Sequence, residues 1–165
     1  MTKDAMATVI TPGEFLAHWQ GHRALTRRVI EAFPEDELFS FSIGGMRPFS
    51  SLALEMTDLA QHGLEGVITG TWTSIDKMPH AAKNKPVNTK KELLQLWDSV
   101  TEQIDSMWPQ VRPEQFHETM LSFGAYEGIG YSIILYWVDN EIHHRGQGYV
   151  YLRALGIEPP YFWER

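Results

Sequence analysis

Apolar residues recur at spacings of three and four in four separate stretches of the chain, the period of a helix that buries one face. In the first stretch Phe15, Trp19, His22, Thr26, Val29 and Phe33 form a seam. It opens on Thr11-Pro12-Gly13-Glu14, where Thr caps, Pro suits the first helical position and Glu three residues after Thr completes a capping box. Pro34 closes it, which predicts a helix over about 12–33. After Phe39 to Phe41, the run Ile43-Gly44-Gly45-Met46-Arg47-Pro48-Phe49-Ser50 reads as a loop. The second helix is expected over about 51–71, with Leu52, Met56, Leu59, Leu64, Val67 and Ile68 as its packing face. Gly63 and Gly66 interrupt that face and let a neighbouring element approach closely.

Residues 72–88 carry two prolines and no sustained period, so they read as a long connection. Lys77, Lys83 and Lys85 lie in it as solvated charges, and a lysine over a pocket mouth would attract an anionic substrate. A second capping box, Thr89 to Glu92, opens a third helix over about 89–108, with Leu93, Leu96, Trp97, Val100, Ile104 and Met107 as its stripe. Residues 110–125 are mixed, and Phe116, Met120 and Phe123 suggest a short extended or hairpin-like passage. The fourth helix is expected over about 127–155, apolar on more than one side, with Gly156 as its C-terminal cap. Beyond it, Pro159-Pro160-Tyr161-Phe162-Trp163 is an aromatic tail that should pack on the bundle or on a second subunit.

These four segments in 165 residues predict one all-α domain over 1–165, a four-helix bundle with a long crossover connection. With 43% hydrophobic and 21% charged residues the composition is that of a globular protein, and no apolar run approaches a membrane span. The first residues, Met1 to Met6, lack a signal-peptide apolar region, so a cytoplasmic location is expected. The chain has no cysteine, which excludes disulfides, cysteine-zinc sites and a cysteine nucleophile. A formal charge of −7 without a basic run argues against a nucleic-acid partner. No Gly-rich phosphate loop, nucleophile elbow or H-E-x-x-H helix is present.

Candidate chemistry is concentrated in the fourth helix, in Asn140-Glu141-Ile142-His143-His144-Arg145-Gly146-Gln147. Asn140 and His144 lie four residues apart, one above the other, the spacing at which two side chains hold one ion with a third ligand from a neighbouring helix. Taken alone, His143 and His144 read as a polar patch on a surface helix. His18 and His22 are a second pair at ligand spacing, although His22 lies in line with Trp19 and Phe33 as a core histidine.

The run from Asn140 to Gln147 resembles the last-helix signature of the DinB/YfiT-like superfamily, N-H-x-x-H-H-R-G-Q, with Asn140 at the first histidine position. Asp58-Leu59-Ala60 resembles the family's second-helix ligand tripeptide, which puts Asp58 in a ligand position and His62 one turn later; the plain reading of these two is an exposed helical pair. The resemblance implies a four-helix bundle, often dimeric, with a metal between the second and fourth helices at the end of a cavity. It implies Asp58, His62, Asn140 and His144 as metal ligands and Glu141 or His143 as a proton-transfer group. Arg145 is assigned to an ion pair, Gln147 to an interhelical hydrogen bond and Gly146 to close packing. The implied activity is a divalent-metal S-transferase, using zinc or nickel and an external low-molecular-weight thiol on a small-molecule substrate. The alternative is a metal-free ligand-binding or dimeric interaction module, which Asn140 favours. A homodimer is expected from the two-sided fourth helix and the aromatic tail.

Overall fold

The computed structural model describes residues 9–83 and 86–165, so Lys85 and the segment from Met1 to Met6 lie outside the described residues. The first long helix, α1 (Pro12–Ala32), starts with the expected capping box: the Thr11 hydroxyl accepts from the Glu14 N–H and the Glu14 carboxylate accepts from the Thr11 N–H. A short helix, α2 (Glu35–Ser40), follows Pro34 where none was expected. Glu35, Asp36 and Glu37 in its first turn complement the helix dipole, and Leu38 anchors it in the core.

The next long helix, α3 (Phe49–Thr69), begins at the residue after Pro48, two residues before the predicted start. It ends on Gly70, whose left-handed backbone (φ 75°) lets its N–H reach the Gly66 carbonyl. The connection holds two single turns of 3-10 helix, Ile75–Lys77 and Pro79–Ala81, and buries Met78 and Val87. Helix α4 (Lys90–Met107) carries the second capping box, and its stripe is buried at Leu93, Trp97, Val100 and Ile104.

An antiparallel hairpin, β1 (Thr119–Ser122) and β2 (Tyr126–Ile129), follows, with Thr119 opposite Ile129 and Ser122 opposite Tyr126. The hairpin-like expectation holds, but the strand pair makes the fold more than all-α and takes the first turn predicted for the last helix. That helix, α5 (Gly130–Ala154), starts at a glycine because any Cβ there would collide with the Gln115 carbonyl. It closes as predicted on Gly156 (φ 74°), with the Ile157 N–H donating to the Leu152 carbonyl at 2.9 Å.

The chain is mostly helical: α1 and α3 each pack on both α4 and α5, and α2 and the hairpin lie against this assembly. The core falls into two apolar sets. One gathers Trp19, Leu64, Ile104, Trp108, Ile134 and Trp137; the other gathers Val29, Phe33, Phe49, Trp97, Tyr151 and Leu152. Between them along the helices lies a belt of buried polar residues: His22, Arg23 and Thr26 in α1, Thr57 and Asp58 in α3, and Asn140, Glu141, His144 and Arg145 in α5. Gly63 admits the Trp137 indole of α5, and Gly148 the Phe49 ring of α3. Gly146 has open space beyond it, so the close-packing role expected of Gly146 belongs to Gly148. No helix among the described residues is long and apolar enough to cross a membrane.

Candidate functional site

The belt of polar groups meets a cavity of about 490 Å³ between α3, the first half of α5, the hairpin and the 3-10 turns of the connection. Its apolar wall includes Leu59, Ile75, Phe123, Ile133 and Trp137, and its polar groups include Glu55, His80, Ser122, Glu127 and Ser132. Phe123, at the hairpin tip, holds a left-handed backbone (φ 55°), which turns its ring inward against Trp72. For a bulky side chain that conformation is strained, and burial of the ring offsets it.

Glu55 joins the cavity to the family-like motif. Its Oε1 accepts from Asn140 Nδ2 at 3.1 Å and lies 3.1 Å from His144 Nε2, while its Oε2 pairs with the Arg47 guanidinium at 2.6 Å. Burial pushes the carboxyl pKa up, but the hydrogen bonds from His144, Arg47 and Asn140 outweigh it and hold the group at about 2. Nδ1 of His144 faces Gln147 Oε1 at 2.8 Å. An oxygen atom thus faces each ring nitrogen of His144.

Asp58 is buried and turned to the connection. Its Oδ2 accepts from the His80 backbone N–H at 2.6 Å and lies 2.8 Å from His80 Nδ1. Asp58 thus stands behind His80, as Asn140 and His144 stand behind Glu55, and the two sets reach the cavity through different wall residues. His62 contacts Glu65 one turn along α3 (3.2 Å), outside the cavity wall.

Of the two expected proton-transfer groups, Glu141 faces α1 instead of α3. It accepts from the Thr26 hydroxyl at 2.6 Å and lies 3.7 Å from Arg145 and 3.9 Å from Arg23. Complete burial raises its pKa against the opposing effects of Arg23, Thr26 and Arg145. Residue 141 is one step from Asn140, a rotation of about 100° around the helix, so the two side chains address different neighbours. His143 is exposed, its ring edge-on to His144. Arg145 makes the expected ion pair, and Gln147 bonds across to Met46 Sδ at 3.2 Å as well as to His144. His22 is a core histidine: burial, then Arg145, His18 and Arg165, lower its pKa to about 3.

Reading the motif from sequence missed Glu55, Arg47 and His80. Glu55 had a usable signal, since it lies three residues before Asp58 on the same helix face. Arg47 and His80 sit in irregular segments, where no period reports what a side chain meets.

The donors around Glu55 suit a divalent ion poorly. They comprise one imidazole, one neutral amide and a carboxylate already paired with a guanidinium, and Asp58 is engaged by His80. Among the described residues, no group of three or more His, Asp and Glu side chains is disposed to hold one ion.

Comparison with known proteins gives the lineage. A family model described as the DinB family matches residues 1–164. The fold is similar to that of a DinB-like protein from Bacillus subtilis, at 20% identity over 91% of this chain and 97% of that one, with a TM-score of 0.69. It is likewise similar to a DinB-like protein from Bacillus cereus, at 15% identity over 92% and 97% of the two chains, with a TM-score of 0.67. No curated protein matches the chain.

Proposed function

The chain belongs to the DinB family, and from that premise we propose that it is a metal-free member that binds a small molecule in the cavity between α3, α5 and the hairpin. The four long helices are read as the family's bundle, with the crossover between α3 and α4. The observation that carries the proposal is the saturation of Glu55: the carboxylate that meets Asn140 and His144 is filled by three nitrogen donors and faces a ligand-sized cavity. Arg47 supplies beside that carboxylate the positive charge that a metal ion supplies elsewhere.

A ligand-observed NMR screen of drug-fragment mixtures tests this reading against wild type and Ser132→Trp. Ser132 is exposed on the cavity wall, so the indole should fill the space while leaving the helical signal intact. Binders to the wild type should be lost in the variant. An absence of binders, or binders equally retained in Ser132→Trp, would refute the cavity as the functional site.

The second reading is a divalent-metal S-transferase, with zinc or nickel and an external low-molecular-weight thiol. One observation favours it: Asn140 Oδ1 is buried with no hydrogen-bond partner among the described residues, next to Glu55 and His144. Elemental analysis of untagged protein after exposure to zinc, nickel or manganese separates the two readings. The metal-free reading predicts well under one ion per chain, and Asn140→His should raise uptake by restoring the imidazole pair. One ion per chain in the wild type, lost in His144→Ala, would establish the metal reading instead.

A further inference from the structure

Among the described residues, the cavity wall carries two carboxylates, Glu55 and Glu127, and no lysine or arginine. Arg47 already matches the charge of Glu55. The Glu127 side chain, exposed on β2, has no ion pair or hydrogen bond among the described residues. Beside it at the mouth stand two aromatic rings that the fold leaves in water, Tyr126 at 62% exposure and Tyr136 at 55%. Large exposed rings at a cavity mouth mark a contact surface. Deeper in, the wall carries the buried rings of Phe123 and Trp137, which pack against an apolar body.

We infer that the cavity takes an organic cation, an amine or quaternary ammonium on an apolar or aromatic body, whose charged head sits among Tyr126, Tyr136 and Glu127. The inference rests on the cavity reading above and names its ligand class. Tyrosine faces attract a cation through the ring quadrupole, and an uncommitted carboxylate beside them adds Coulomb attraction in the same direction. A neutral ligand of the same shape gains the apolar burial but leaves Glu127 unused. An anion meets the like charge of Glu127. Lys77 and Lys83, the described lysines of the connection that could favour an anion, are exposed and absent from the wall.

The test uses three probes with one common body: 2-phenylethylamine, 2-phenylethanol and phenylacetate, titrated at neutral pH and low salt by protein-observed NMR. The amine should bind about threefold or more tighter than the alcohol, and phenylacetate should bind weakest. Glu127→Gln should remove much of the amine's advantage while leaving the alcohol unchanged, and added salt should do the same. Glu127 is on an exposed strand, so an unchanged circular dichroism spectrum shows that the variant is folded. Equal or tighter binding of the alcohol or the carboxylate overturns the cation inference and leaves the cavity reading standing. An amine advantage that Glu127→Gln leaves intact also overturns it. Failure of all three probes to bind overturns the inference, while the fragment screen with Ser132→Trp decides the cavity reading separately.

Discussion

Glu55 and His22 make acid sensitivity a property of single residues in this chain. His22 is neutral in the fold, with its pKa at about 3 against an ordinary 6.5, so the unfolded chain takes up its proton first. Stability therefore falls as pH drops from about 6.5 towards 3. Glu55 has its pKa lowered from 4.5 to about 2, so its contribution is complete above 4.5 and is lost as pH falls through 2. Urea midpoints measured from pH 7 to pH 2.5 should decline across both windows; His22→Gln should flatten the upper part and Glu55→Gln the lower. A wild-type midpoint constant down to pH 4 would contradict the His22 assignment. His22 was legible as a core histidine because it falls in the α1 stripe. Glu55 was passed over because the tripeptide match selected Asp58, while the rotation of α3 against α5, which decides which carboxylate meets His144, is set by packing along both helices. The pairing of Asp58 with His80 spans 22 residues through an irregular connection, and no local pattern encodes it.

Helix starts were readable where a cap writes them into adjacent residues, as at Thr11 and Thr89, and least where partner contact decides. The start of α5 is the clearest case. Tyr126 to Ile129 continue a helical pattern on paper, yet pairing with Thr119 to Ser122 draws them into a strand, and the crowding of Gly130 against the Gln115 carbonyl fixes the switch. Glycine substitutions test this account of the elements. Gly63→Ala and Gly148→Ala each place a methyl against a buried ring and should destabilise by about 1–3 kcal/mol. Gly146→Ala meets open space on the surface of α5 and should be neutral or stabilise by up to about 1 kcal/mol. Urea denaturation of the three variants checks the ranking, and a loss at Gly146 as large as that at Gly148 would show that the packing of α5 is misassigned.

At the scale of the molecule, helical periodicity and one eight-residue motif were enough to indicate a DinB-like fold; α2 was not foreseen, and the hairpin was legible only as an extended passage before residue 126, its second strand having been assigned to the last helix. The aromatic tail stays largely in water at Tyr161, Phe162 and Trp163, and α5 exposes Tyr131, Leu135 and Ile142 on one side. We propose that a second copy of the chain covers part of this surface. Sedimentation at micromolar concentration should give a dimer that Leu135→Glu weakens, and a wild-type monomer throughout would count against it. The central claim, a small-molecule site in the cavity, is tested most directly by amide and indole NMR shifts during titration with a fragment that binds. Saturable shifts should concentrate at Trp137, Phe123, Ser132 and Glu55, from helices and hairpin together. Shifts confined to other surfaces, with the Trp137 indole unmoved at saturation, would contradict it.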